Sequence, residues 1–141
     1  MKYASTSANF RLESDKNLLQ NPHTLLMGTR PSWVRTDTFF AMDGEDKIVG
    51  IIDLRHTLND FLADLGNCGC SVRPSQRQKG YAGQMLGQVL DRAKEVGLTA
   101  LYISVERENL PSVKVIKRNG GVYQRSFTHE GQQADIYAFR I

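Results

Sequence analysis

Between residues 66 and 105 the chain spells a strand, a basic turn, a helix and a second strand, and few folds accommodate that order. GNCGCSVR (66–73) reads as a strand ended by Pro74, and its two glycines signal a bulge or a close backbone approach. Ala82, Met85, Leu86, Val89, Ala93 and Val96 recur at the 3.6-residue period, and Gly97 closes that helix. TALYISV (99–105) has the apolar run of a buried strand. Two strands joined through a helix are expected to lie parallel, with a right-handed crossover.

The flanks are mostly β. Residues 33–42 and 46–55 are rich in β-branched and aromatic types, with Asp43-Gly44 as the turn of an antiparallel pair. Residues 9–19 place Phe10, Leu12, Leu18 and Leu19 at imperfect helical spacing, which predicts a short helix stopped at Asn21-Pro22. Leu58, Phe61, Leu62 and Leu65 predict another short helix over 57–65, capped by Thr57. Residues 109–119 form a helix with Pro111 in its first turn and Gly120 past its end. Strands near 121–127 and 133–140 flank a turn at Glu130-Gly131. The expectation is one α/β (α+β) domain over 1–141, with a mixed, mainly antiparallel sheet.

The turn SVRPSQRQKGYAGQML (71–86) holds three cations, Arg73, Arg77 and Lys79, and no acid. At Gly80 a strand gives way to a helix, whose first amides lack intrahelical partners and whose dipole is positive there. A diphosphate fits such a place, with Arg77 and Lys79 adding charge and Gly80 letting the backbone come close. A Walker loop does not fit, because Lys79 precedes its glycine, and Gly80-x-x-Gly83 is only part of a dinucleotide fingerprint. Taken alone, such a run of charge reads as a solvated surface turn.

Arg77-Gln78-Lys79-Gly80-Tyr81-Ala82 matches the Arg/Gln-x-x-Gly-x-Gly/Ala signature of the GNAT N-acetyltransferase superfamily. Val72-Arg73-Pro74, Asn109-x-x-Ser112 and Ile116-Lys117-Arg118-Asn119-Gly120-Gly121 stand at matching distances, so the chain resembles that family over about residues 33–140. Arg55-His56-Thr57-Leu58-Asn59 is similar to a segment of a bacterial subgroup. The resemblance implies a sheet with a splayed central parallel pair, acetyl-CoA as cosubstrate and an amine as acceptor. It also implies that residues 77–82 hold the coenzyme A pyrophosphate, with Asn109 and Ser112 nearby, and that pantetheine pairs with the strand around Cys70 to Val72.

In the family, direct attack of a neutral amine on the thioester is helped by a backbone N–H, which the resemblance carries to the amide of Cys70. A tyrosine that often protonates the leaving thiolate is replaced here by Ile116, and Gly66-Asn67 stands where several members have a glutamate. Glu106 and His56 are candidates for the base. Their plainer readings are a loop carboxylate and a helix-entry residue, as a helix cap is for Asn109. Without the tyrosine and the glutamate, a non-catalytic acyl-CoA-binding regulatory domain is the alternative.

Composition limits the rest. The net charge of +3 is too mild to indicate nucleic acid, and no apolar run approaches the ~18 residues of a membrane span. Cys68 and Cys70 are the only cysteines, short of the roughly four ligands of a zinc site, and His23 and His129 lack partners at metal spacing, so no metal is expected. The N-terminus has no apolar signal core, which predicts a cytoplasmic protein. It is also short for the family, so the acceptor cleft is expected to be open or to be closed by the second subunit of a homodimer.

Overall fold

The computed structural model describes residues 10–14, 34–60 and 63–141. Among them are seven strands, two α-helices and one 3-10 turn. In chain order these are β1 (Arg11–Ser14), β2 (Thr36–Met42), β3 (Ile48–Arg55), β4 (Cys68–Val72), the 3-10 turn Pro74–Gln76, α1 (Tyr81–Glu95), β5 (Ala100–Glu106), α2 (Leu110–Arg118), β6 (Val122–His129) and β7 (Gln132–Arg140). The strands make two antiparallel sheets, one ordered β1-β2-β3-β4 and the other β5-β7-β6.

The sheets meet where the splayed pair is expected, at one end of β4. Hydrogen bonds and bridges between the start of β4 and β5 fall on three consecutive residues among those described. Leu65 O accepts from Ser104 Oγ at 3.2 Å, Gly66 bridges Ile103, and Asn67 N donates to Tyr102 O at 2.7 Å. These contacts run antiparallel, and no parallel ladder joins β4 to β5 among the described residues. The reason lies in Asn67, which is 4% exposed. Its side-chain Oδ1 accepts from Tyr102 N at 2.9 Å, so one residue uses both backbone groups of Tyr102. On the other side Asn67 O accepts from Arg55 N at 2.6 Å, and Nδ2 donates to Arg55 O at 3.0 Å. The side-chain amide thus stands in for a peptide group, and the backbone N–H is released to cross between sheets. Loss of that side chain would leave the Tyr102 N–H and the Arg55 C=O, both part-buried, without these partners.

Gly66 is the second part of the joint. Its φ is +79°, and a Cβ there would lie 2.5 Å from Tyr102 O, so only glycine fits.

One apolar cluster runs through both sheets. Met85, Val89 and Ala93 of α1 are fully buried, with Ile52, Leu54, Leu101 and Phe139 in the same cluster. The helical period that predicts α1 is therefore its buried face, and burying Met85 or Val89 contributes roughly 1.5–3 kcal/mol each. Gly97 ends the helix at φ +90°, as expected.

Two expected helices do not form as predicted. Of the segment 9–19, residues 11–14 are strand β1, paired with β2, while residue 9 and residues 15–19 lie outside the described residues. Phe10 and Leu12 pack on the core, and Arg11 reaches Glu13 at 2.8 Å and Asp46 at 2.7 Å. The open edge of β2 supplies a ladder that an imperfect helical pattern does not outweigh. Of 57–65, residues 57–60 and 63–65 are turn or irregular, and Phe61 and Leu62 lie outside the described residues, as does Trp33 before β2. Leu65, half of the expected apolar stripe's last turn, is 47% exposed.

Sheet β5-β7-β6 holds a buried carboxylate. Asp135, 5% exposed, accepts from Arg107 Nη2 at 2.8 Å, Arg107 Nε at 3.2 Å and Ser126 Oγ at 2.7 Å. The Arg107 guanidinium, then the Ser126 hydroxyl, hold its carboxyl below the ordinary value of 3.8, against the opposing effect of burial. A depressed folded pKa adds stability that is complete above the unfolded value and lost as pH falls through the folded one. Arg107→Gln should therefore lower the urea midpoint near pH 7, and its deficit against the wild type should shrink below about pH 4. A deficit independent of pH would remove Asp135 as its source.

Candidate active site

The ladder between β3 and β4 decides which way β4 presents its backbone. Arg55 N donates to Asn67 O, and Arg73 N donates to Val49 O at 2.8 Å. Hydrogen-bonded and non-hydrogen-bonded pairs alternate in an antiparallel ladder. Asn67, Gly69, Ser71 and Arg73 therefore turn their polar groups toward β3. Cys68, Cys70 and Val72 turn theirs to the opposite edge of β4, which no strand among the described residues covers. The carbonyl of Val72 is engaged there by Arg77 Nε at 3.1 Å, which leaves its amide, and that of Cys70, on the open edge.

This edge leads through the turn of residues 73–80 into α1. Gln78 and Gly80 both have positive φ, +64° and +81°. Gly80 is the N-cap of α1, no side chain caps that end, and its first turn has no acid. Space around Gly80 is open, with no atom within 4 Å of a Cβ built there. Arg73, Arg77 and Lys79 are exposed around the same turn, and Lys79 Nζ donates to Gln76 Oε1 at 3.0 Å. The Tyr81 ring stacks on Phe10 at 5.6 Å, so Tyr81 offers this turn its amide and not its hydroxyl. Ala82 follows as a small residue in the first helical turn. The arrangement suits an anion with several oxygens, through first-turn amides, the helix dipole and exposed cations.

Asn109 caps α2, with Oδ1 accepting from Ser112 N at 3.4 Å, a long bond that leaves the exposed carboxamide free to turn. Ile116, at the position where the family often has tyrosine, is 3% exposed and belongs to the core, not to a cleft.

The two candidate bases are placed differently. His56 Nε2 lies 2.8 Å from Oδ2 of Asp37, a residue 7% exposed, and Arg92 Nε approaches the same oxygen at 3.5 Å. That triad ties α1 to β2 and to the end of β3. Glu106 ends β5 with an exposed side chain that makes no hydrogen bond or ion pair among the described residues. Asn109 N donates to its carbonyl at 3.0 Å.

Neither thiol is activated. Burial pushes Cys68 far up, and it raises Cys70 to about 11 even though that residue is partly open to solvent. No cation lowers the Cys70 value, so almost none of it is thiolate at neutral pH. No group of three or more His, Cys, Asp or Glu assembles a metal site among the described residues, and none of their helices is long and apolar enough to cross a membrane. The structural residue that sequence reasoning passes over is Asn67. Its only signal is a carboxamide at the start of a strand, between a glycine and an apolar neighbour.

A strand with an open edge thus runs into an uncapped, basic helix N-terminus. The family model for the acetyltransferase (GNAT) domain matches residues 7–122, and the chain belongs to that family. It is thus an N-acetyltransferase. No curated protein matches the sequence. Among solved structures it is similar to dodecameric spermidine N-acetyltransferase from Vibrio cholerae in an intermediate state, at TM-score 0.71 and 15% identity over 95% of each chain. A point mutant of that organism's spermidine N-acetyltransferase SpeG gives TM-score 0.73 at 14% identity, again over 95% of each chain. Another SpeG mutant gives 0.63 at 19% identity, over 74% of this chain and 65% of the other. At these identities the likeness is one of fold.

The unactivated thiols yield a prediction. Cys68→Ala and Cys70→Ala should each keep most of the turnover. Alkylation of Cys70 by iodoacetamide should still be climbing at pH 10, in line with a pKa of about 11. Loss of nearly all turnover in Cys70→Ala, with an acetylated cysteine trapped in the wild type, would establish a two-step route instead.

Proposed function

We propose that the protein moves an acetyl group from acetyl-CoA to a primary amine of a small molecule or peptide, by direct attack in a ternary complex. The observation that supports this most is the open edge of β4, with the amides of Cys70 and Val72 on it, ending at the uncapped N-terminus of α1. In this reading the pantetheine arm lies along the β4 edge. The diphosphate sits at the amides of residues 80–82, flanked by Arg77, Gln78 and Lys79, and Asn109 and Ser112 border the cosubstrate from α2.

The amine nitrogen adds to the thioester carbonyl carbon, and charge gathers on the carbonyl oxygen. The Cys70 N–H is the donor for that oxygen, fixed in advance by its place in the ladder. The C–S bond then breaks, the thiolate leaves, and the new amide sheds one proton. With Ile116 in the core, the thiolate takes its proton from water. Holding the two reactants together supplies much of the acceleration. Among the side chains, Glu106 is the candidate to receive the amine proton. His56, committed to Asp37, is assigned to holding α1 in place.

The similar structures act on spermidine, which makes polyamines the first acceptors to assay. The dodecameric assembly of one of them favours self-association here too, a homodimer at least.

Asparagine and aspartate both tolerate the left-handed backbone of Gly80. Gly80→Asn and Gly80→Asp therefore differ chiefly in charge. The aspartate variant should bind acetyl-CoA more than tenfold more weakly than the asparagine variant, or over about 1.4 kcal/mol by titration calorimetry. Equal affinities would overturn the diphosphate assignment.

The rate kcat/KM should rise about tenfold per pH unit below the pKa of the acceptor amine, because only the neutral amine attacks. That limb should move when acceptors of different amine pKa are compared. A limb that stays in place and vanishes in Glu106→Gln would make Glu106 the base, and a descending limb at high pH in the chemical step would reveal a general acid.

A further inference from the structure

We infer that Asn67 is a positioning residue for acetyl transfer, setting where β4 departs from β5 and thereby the direction of the Cys70 amide. The inference rests on the reading of Cys70 as the donor to the thioester oxygen.

Asn67 satisfies four backbone groups with two amides. Arg55 N and O bond to Asn67 O and Nδ2, and Tyr102 O and N bond to Asn67 N and Oδ1, at 2.6, 3.0, 2.7 and 2.9 Å in that order. An ordinary ladder residue serves one neighbour on each side in alternation. Here a single residue closes a complete pair with each of two sheets. Past this pair no ladder joins β4 to β5 among the described residues, and the edge from Cys68 onward is left open. The opening of the cleft thus begins at a defined residue.

Cys70 is three positions further along the same strand. Its side of the ladder is fixed by the bonds that Asn67 O and Arg73 N make to β3 at either end of β4. The joint cannot relax easily. Arg55 Nη1 donates to Gly66 O at 2.8 Å, and Gly66 lies so close to Tyr102 O that a Cβ would overlap it. Only asparagine meets the demand. Aspartate lacks the donor for Arg55 O, glutamine places the amide one methylene too far, and serine does not reach both partners. The diphosphate turn is at the other end of β4, beyond Val72, and Asn67 makes no contact with it. The joint should therefore govern the chemical step and leave cosubstrate affinity nearly untouched.

The test compares Asn67→Asp and Asn67→Ser with the wild type, each assayed well below its own melting temperature. Expected is a fall in kcat of tenfold or more, with KM for acetyl-CoA within threefold. A normal kcat in a folded variant overturns the inference, and so does a change confined to KM. A spectroscopic signature accompanies the kinetics. In 15N-labelled wild type, the Cys70 amide proton should shift differently with acetyl-CoA than with CoA, which lacks the acyl oxygen. That difference should shrink in the variants. If the wild type shows no such difference, while acetyl-CoA binds and turns over, the Cys70 reading fails and takes this inference with it. If the difference is present and persists in the variants, the Asn67 role alone fails. Should neither variant fold, hydrogen exchange in the wild type decides. The Tyr102 amide should exchange as slowly as the amides of α1, and rapid exchange would overturn a fixed joint.

Discussion

Two sheets that are each complete ladders need a reason to stay together, and another to stay apart. Asn67 provides both. Its carboxamide copies a peptide group, so the residue bonds to Arg55 and Tyr102 as though it occupied two strands at once. The side-chain bonds are part-buried, and each broken one costs in proportion to the water it has lost. Past them the pairing does not continue among the described residues. Cohesion beyond that point comes from the apolar cluster, to which both sheets and α1 contribute.

What the gap exposes follows from parity. The alternation of an antiparallel ladder sends every second residue of β4, Cys68, Cys70 and Val72, toward the edge that no strand among the described residues covers. The cysteine side chain matters less than its amide. Burial keeps the thiol protonated at neutral pH, whereas an amide fixed in a strand needs no ionisation to donate a hydrogen bond. At the far end of β4 the left-handed Gly80 turns the chain into α1, and the helix begins with unsatisfied donors and no acid. A neutral donor for the acyl group and a positive end for the phosphates lie along one continuous edge.

Much of this was legible in the residues. The α1 period was unmistakable because its face is buried without interruption, and Gly97 and Gly120 end α1 and α2 at positive φ. The basic turn was readable because free amides, glycine and cations are needed together there. The short segments misled. Phe10 and Leu12 fit a helix in isolation, yet the vacant edge of β2 made a strand of residues 11–14. Leu58 and Leu65 fit a helical stripe whose described residues are turn or irregular. Such segments carry too few apolar contacts for local pattern to prevail over a neighbour.

The residues by themselves therefore determined the family, the order of the principal strands and helices, and the turn suited to a diphosphate. Each depends on interactions between residues near one another in the chain. Only the tertiary structure decided that His56 is committed to Asp37, that Ile116 lies in the core, and that Asn67 joins the sheets. Those roles require partners 19 to 35 positions away or a burial that many segments create together. A hydrogen bond between distant residues leaves no periodicity in the sequence, because its geometry exists only once both sheets are in place.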